Sequence, residues 1–241
     1  MLAATADALA APGSSVLILG VTPETVQINW PAASLVAVDA SPSIIESMWR
    51  PNPRIPSRVV RAHWQDMPLD DASVDAAVGD GSFNALSDFD DLPAVLRELY
   101  RVLKPGGMLA IRCFVKRPPM PSIDEIGAAA LRGEFSHSAA FRMPFTLSMA
   151  GEGTLVKLAE LHGEFQRLFP DRDHLARVTG WSRTDIDRAD CDDGSEMRLN
   201  FPTLDQLAES VAPWFEIQGT SFGTYTQSQY CPTVAMRRRD I

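Results

Sequence analysis

Three short apolar runs of the chain each end in residues that can do chemistry. "SSVLILG" ends at Gly20, "SLVAVD" ends at Asp39, and "VDAAVGDGS" runs out through Gly79, Asp80, Gly81 and Ser82. A carboxylate closing a second strand, roughly 20 residues after a first strand–helix corner, can accept from both hydroxyls of a ribose. The competing role for Asp39 is to cap the helix that begins "SPSII", although Ser41 can do that instead. In an open parallel sheet, ligands bind beyond the carboxyl ends of the strands, where the strand order reverses. Gly20, Asp39 and the 79–82 turn are therefore the residues to follow.

The corner after Gly20 restricts the ligand further. Nucleotide-binding corners place two or three glycines where this chain has Gly20 alone, followed by "VTPETV". Pro23 suits a first helical position and Thr22 suits the cap before it. Glu24 puts a carboxylate in the first helical turn, which favours the helix dipole and opposes a phosphate. The corner is built as a helix start and not as a pyrophosphate cradle. A ligand with a ribose and an adenine but no phosphate tolerates it; NAD is disfavoured.

The elements that must position these residues alternate up to about residue 115. Strands are expected at Ser15–Gly20, Leu35–Asp39, Arg58–Ala62, Val74–Gly79 and Met108–Phe114, and helices at Pro23–Gln27, Pro42–Trp49 and Leu92–Leu103. The last helix carries an apolar stripe of Leu92, Val95, Leu96, Leu99, Val102 and Leu103 and stops at "KPGG". Near-continuous apolar strands between helices imply a parallel sheet covered on both faces. From "VKRPPMPS" to about residue 200 the pattern turns helical, with candidates Ile123–Phe135, Thr154–Phe169 and Arg172–Thr179. This segment is expected to sit over the mouth of the sheet as a lid. A helix capped by Thr203, a strand from about Trp214 and a last strand Pro232–Arg237 close the chain. The organisation expected is thus 1–115, a nucleoside-binding half; 116–200, a helical insertion; and 201–241, a helix and strands completing the sheet.

Composition narrows the partners. The chain has 241 residues, 45% of them hydrophobic and 22% charged, enough for one sizeable core in an ordinary soluble balance. A formal charge of −9, from 22 basic and 31 acidic residues, argues against a nucleic-acid partner, which needs clustered Lys and Arg. "RRR" at 237–239 is too short and too terminal to reverse that. Cys113, Cys191 and Cys231 make no even framework and no CxxC, which fits a reducing cytoplasm. "MLAATADALAAPG" lacks a basic flank and reads as a short amphipathic helix, not a leader. No apolar run is long enough to span a bilayer.

Taken in order, "VLILGVTPE", "LVAVDASPSII", "HWQDMPLDDASVDAAVGDGSFNAL" and "LRELYRVLKPGGMLAIRCF" resemble the successive motifs of the class I S-adenosylmethionine-dependent methyltransferases. The resemblance covers about residues 14–115. It implies a doubly wound, mostly parallel seven-stranded α/β sheet of Rossmann-like type with an antiparallel C-terminal hairpin, to which 203–238 corresponds. It also implies S-adenosyl-L-methionine as cofactor. Gly20 would let the backbone approach the methionine part. Asp39 would hold the ribose, with Ala40 beside the adenine and His63 and Trp64 bordering it. Gly79, Asp80 and Gly81 would line the amino group and the transferring methyl. Three positions depart from the pattern. Ile18 stands where an acidic residue is usual, Thr22 and Glu24 replace later glycines, and His63 replaces an aspartate, with Asp66 as rival. Trp64 either stacks on the adenine or packs in the core.

Methyl transfer from a sulfonium needs an aligned nucleophile and exclusion of water, and a base only if the acceptor keeps its proton. Base candidates are Asp80 and, from the insertion, His137 and His162, either of which is otherwise a surface histidine. Asn84 could orient an acceptor or begin a helix, and Cys113 reads as a buried inert thiol. The acidic run "TDIDRADCDDGSE" fails the calcium-loop spacing in both registers, so no metal is expected. The function expected is methyl transfer to a small-molecule acceptor in the cytoplasm. The alternative is a protein of the same fold that binds the cofactor without catalysis.

Overall fold

The computed structural model describes residues 9–240; the helix expected over "MLAATADALAAPG" falls largely outside them. A single seven-stranded sheet organises the chain, in the order β3-β2-β1-β4-β5-β9-β8. Its strands are β1 Ser15–Leu19, β2 Ser34–Asp39, β3 Ser57–Arg61, β4 Val74–Asp80, β5 Leu103–Arg112, β8 Phe215–Ser221 and β9 Thr233–Arg238. The first five are parallel, and β9 runs antiparallel to both β5 and β8. This is the doubly wound α/β sheet with a C-terminal hairpin expected from the sequence.

Alternation along each strand feeds two cores. Leu17, Leu19, Val36, Val38, Ala77 and Ile111 face helices α3 (Leu92–Val102) and α9 (Leu204–Val211). Val16, Ile18, Leu35, Ala37, Ala76, Val78 and Ala110 face the other side with Val26 and Trp30. Between β1 and β2 lies a four-residue helix, α1 (Pro23–Val26); α2 (Pro42–Met48) follows β2. The stripe on α3 is fully buried, as its spacing predicts. Thr203 caps α9 in a reciprocal box with Gln206.

The motifs "MPLDDASVD" and "LKPGG" work at the end of the sheet away from the strand tips. Asp75 accepts from the Ser15 amide at 2.8 Å and from Lys104 Nζ at 2.7 Å, tying the start of β1 to β5. Arg101 donates to the carbonyls of Met67 and Leu69 and to Glu98 and Asp71. "KPGG" ends α3 but lies inside β5, not before it. The register jumps from Val74↔Leu103 to Ala76↔Met108, a bulge that Gly106 accommodates with φ +69°.

Residues 116–200 form a helical insertion with its own core. It contains α4 (Ile123–Leu131), α5 (Ser138–Met149), α6 (Leu158–Leu168), α7 (Arg172–Thr179) and α8 (Arg183–Asp187). The run expected as one helix, Thr154–Phe169, opens instead with a strand, β6 (Leu155–Lys157), paired antiparallel to β7 (Arg198–Asn200). This β-pair ties the middle of the insertion to its end. Helix α5 has no counterpart among the expected helices; it contains Pro144 and is flanked by Ser and Gly, residues that interrupt a local helical pattern. It forms because Phe141 and Phe145, one turn apart, stack at 4.9 Å within a cluster that includes Phe165, Phe169 and Trp181. Among the described residues, no helix is long and apolar enough to cross a membrane.

Candidate active site

The strand order reverses between β1 and β4, and the tips of β2, β1 and β4 lie side by side there, with Leu19 opposite both Val38 and Gly79. Gly20 leaves β1 with φ +97°, and its amide donates to the Val38 carbonyl at 2.8 Å. A Cβ at this position would stand 3.9 Å from Asp39 Oδ2, so the glycine and the carboxylate face each other across the tip. Asp39 Oδ1 accepts from the Ser41 amide at 2.8 Å, while the Ser41 hydroxyl caps α2 by accepting from Ile44. Asp39 thus steadies the chain entering α2 through one oxygen, and Oδ2 is turned toward Gly20. Ala40 is half-buried beside it.

The corner after Gly20 differs from expectation in one respect. Thr22 occupies the cap of α1 with no side-chain hydrogen bond; only its carbonyl holds the helix, accepting from Thr25 and Val26. Ile18, where a carboxylate is usual in the resembled pattern, is buried in the core facing α1.

His63 and Trp64 begin the turn after β3. Trp64 packs against the main core, and its indole donates to the Val38 carbonyl at 2.7 Å, the same acceptor that holds Gly20. One edge of the indole therefore braces the β1–β2 tip. His63 and Asp66 are both exposed on one turn, closed by the Asp66 amide donating to the His63 carbonyl.

The β4 tip is held by contacts that leave room only for glycine. A Cβ on Gly79 would lie 2.5 Å from Ser82 Oγ and 2.9 Å from Ile111 Cδ1. Ser82 in turn donates to the Leu19 carbonyl at 2.8 Å, fastening the β4 turn onto β1. Gly79 is therefore buried, and its close packing lets the following turn, Asp80–Gly81, project into the groove. Gly81 has φ +68°, and its amide donates to the Arg112 carbonyl.

Asp80 is gripped by Arg112, Nε to Oδ1 at 2.5 Å and Nη2 to Oδ2 at 2.6 Å. Burial works against the Arg112 charge, but the Asp80 hydrogen bonds and charge outweigh it, and the guanidinium pKa is raised. A carboxylate held by a guanidinium through both oxygens is fixed in place. Arg112 also meets the Tyr225 hydroxyl, which bonds to Cys231; burial pushes both of those groups up, so both are neutral at pH 7. Arg112 and Tyr225 were invisible in the sequence because nothing in "AIRCF" or "GTYTQ" marks them as strand-tip neighbours.

The other candidates divide. Asn84 is a buried staple: its Nδ2 donates to the Phe114 and Asn200 carbonyls, and its Oδ1 accepts from the Phe114 amide. It sits in a 3₁₀ turn, Phe83–Ala85, and does not start an α-helix. His137 caps α5, Nδ1 accepting from Ala140, and is exposed. His162 lies on α6 between Asp190 and Asp193, inside the insertion and away from Asp80. Burial pushes the Cys113 thiol up, so it is inert at neutral pH. The carboxylates of "TDIDRADCDDGSE" form an ion-pair network with Arg172, Arg183, Arg188 and Arg142.

Between the β4–β5 tips and the insertion lies a cavity of about 350 Å³, reaching from Asp80 and Gly81 to Arg142, Met143 and Thr146 of α5, with Phe114, Leu199 and Phe201 as apolar walls. Its inner end is the Asp80–Gly81 turn at the tip of β4.

Residues 19–111 match a family model described as a methyltransferase domain. Over these residues the chain carries a methyltransferase domain, with the motif order and fold of the class I S-adenosylmethionine-dependent enzymes. It is an enzyme of that class, with S-adenosyl-L-methionine as cofactor. Among solved structures, this methyltransferase is similar in fold to a SAM-dependent methyltransferase from Methanosarcina mazei (TM-score 0.57, 13% identity, 96% of this chain and 95% of that one). It is also similar to a SAM-dependent methyltransferase from Mesorhizobium loti (TM-score 0.54, 12% identity, 98% and 96%). A third similar fold is the 1,6-didemethyltoxoflavin N1-methyltransferase of Burkholderia thailandensis, solved with 1,6-didemethyltoxoflavin and S-adenosylhomocysteine (TM-score 0.52, 12% identity, 95% and 72%). No curated protein matches the chain.

Proposed function

We propose that this methyltransferase methylates a small, largely apolar acceptor held in the cavity between the Asp80–Gly81 turn and helix α5. The observation that carries the reading is that the Asp80–Gly81 turn, which follows the β4 tip beside Gly20, also lines that cavity. A ribose on Asp39 Oδ2 and a methionine chain along Gly20 bring the sulfonium to the β4 tip, which is also the cavity's inner end. The cofactor residues proposed are Gly20, Asp39, Ala40, His63, Trp64, Asp80 and Gly81. Gly79 serves them by letting the β4 turn pack.

The chemistry follows from what the cavity contains. The cofactor supplies an electrophilic methyl; the protein aligns the nucleophile and excludes water. At the cavity's inner end both oxygens of Asp80 are engaged by Arg112, so its role is to fix the turn. The acceptor is therefore one that is nucleophilic without a protein base, such as a neutral amine, a thiolate or an acidic hydroxyl. Met143, Phe114, Leu199 and Phe201 select an apolar body of small-molecule size. The small-molecule ligand of the Burkholderia neighbour is consistent with this reading.

The test is transfer of labelled methyl from S-adenosylmethionine into a panel of small aromatic amines, phenols and thiols, beside bulk protein and RNA. Label in a small acceptor, with a raised KM and unchanged S-adenosylhomocysteine affinity in Met143→Trp, supports the proposal. Label confined to protein or RNA overturns it.

A further inference from the structure

The helical insertion contains a second cavity that the methyl-transfer reading does not use. It is about 220 Å³ in volume, and its floor is aromatic: Phe141, Phe145, Phe165 and Trp181, with Leu161 and Ala189 between them. For scale, an apolar cavity of about 150 Å³ binds benzene, so this one suits a substituted ring or two fused rings. The mouth is polar, but every charge there is paired. Arg142 Nη2 meets Asp192 Oδ2 at 2.6 Å, with the Asp192 side chain only 7% exposed. His162, 13% exposed, stands 3.2 Å from Asp190 and 3.3 Å from Asp193, and Arg188 pairs with Asp185. A charged ligand would have to break one of these pairs, whereas a neutral hydroxyl or amine can join them by hydrogen bonds.

We propose that this cavity is a binding site for a neutral one- or two-ring aromatic molecule carrying a hydroxyl or amino group, its rings on the Phe141–Phe145–Trp181 floor and its polar group at His162 and Asp192. Helix α5 separates the site from the acceptor cavity. Phe141 and Phe145 face the aromatic side, Met143 and Thr146 face the sheet mouth, and Ala139 and Arg142 line both. That division follows from helical spacing, since residues three or four apart share a face. The two cavities are neighbours that share one helix, so a ligand in the insertion site bears on the wall of the acceptor cavity through α5 and the Arg142–Asp192 pair.

The proposal is independent of which acceptor the enzyme uses, and its test needs no turnover. Binding of 2-naphthol to the full-length protein is measured by isothermal titration, with and without saturating S-adenosylhomocysteine. Saturable binding is expected in both conditions. It should weaken at least tenfold in Ala189→Phe, which fills the floor, and in Ser138→Trp, which blocks the half-exposed mouth. It should be unchanged in Met143→Trp. Retained S-adenosylhomocysteine binding and an unchanged melting transition establish that a variant is folded. The mouth variant serves if the floor variant does not fold. No heat with the wild type at the solubility limit of the probe overturns the site, as does equal affinity in a folded Ala189→Phe or Ser138→Trp. Loss of binding in Met143→Trp alone would move the probe to the acceptor cavity and overturn it equally.

Discussion

Replacing Asp39 separates its two oxygens. Oδ1 accepts from the Ser41 amide at 2.8 Å, and Oδ2 faces Gly20. Asp39→Ala removes both. Loss of the Ser41 hydrogen bond costs about 1.5–3 kcal/mol at most, because it is made to a charged group, and less where water replaces it. Loss of the ribose contact costs about 1.5–3 kcal/mol of cofactor binding, roughly a 10- to 150-fold rise in Kd. Asp39→Asn separates the effects. Its amide oxygen still accepts from Ser41, so stability should stay near wild type, while the cofactor side loses its charged acceptor and Kd still rises about tenfold. The assay is calorimetric titration of S-adenosylhomocysteine into each variant, with thermal melting in parallel. A Kd within twofold of wild type in a folded Asp39→Ala refutes the ribose assignment. Equal affinity loss and equal destabilisation in the Ala and Asn variants would show that Asp39 acts only through α2.

Other predictions rest on single contacts. Gly79→Ala places a Cβ 2.5 Å from Ser82 Oγ and 2.9 Å from Ile111, and should destabilise by about 1–3 kcal/mol by overpacking, read as a lower melting temperature. His63→Ala and Asp66→Ala share one exposed turn; the larger rise in S-adenosylhomocysteine Kd identifies the residue that meets the adenine edge. Glu98 is held below the usual carboxylate range by the Arg101 hydrogen bonds, with help from the Met67 amide and against burial. Its stabilisation is therefore complete above the unfolded pKa of about 4.3 and lost as pH falls through the lower folded value. Glu98→Gln should accordingly melt below wild type at pH 7, with the gap closing as pH drops below about 4. A gap independent of pH would contradict the sign.

Much of the fold was legible because its determinants are local. Five apolar runs bounded by Gly, Pro, Asp or Ser, the α3 stripe, the Thr203 cap and the parallel order all follow from period, punctuation and capping chemistry. "KPGG" was read correctly as a stop and wrongly as a boundary, since a bulge absorbs it within β5 and bulges depend on the partner strand. Helix α5 has no strong local signal around Pro144: its stability comes from Phe165 on α6, Phe169 just past α6 and Trp181 just past α7, which no local pattern reports. The site divides the same way. Gly20, Asp39 and the 79–81 turn stand at strand tips that sequence spacing predicts. Arg112, Tyr225 and Arg142 reach the site from β5, the β8–β9 loop and α5, and only the tertiary arrangement brings them there. It also makes Asn84 a buried staple, His137 the cap of α5 and His162 a neighbour of Asp190 and Asp193.

The central claim is that the cofactor lies across the tips of β2, β1 and β4 with its sulfur at the Asp80–Gly81 turn. A crystal structure with S-adenosylhomocysteine tests it most directly. The account predicts ribose hydroxyls on Asp39, adenine beside Ala40 and the 63–66 turn, and a sulfur opening onto the Phe114–Met143 cavity. Nucleoside density elsewhere, or a sulfur facing away from that cavity, would contradict it.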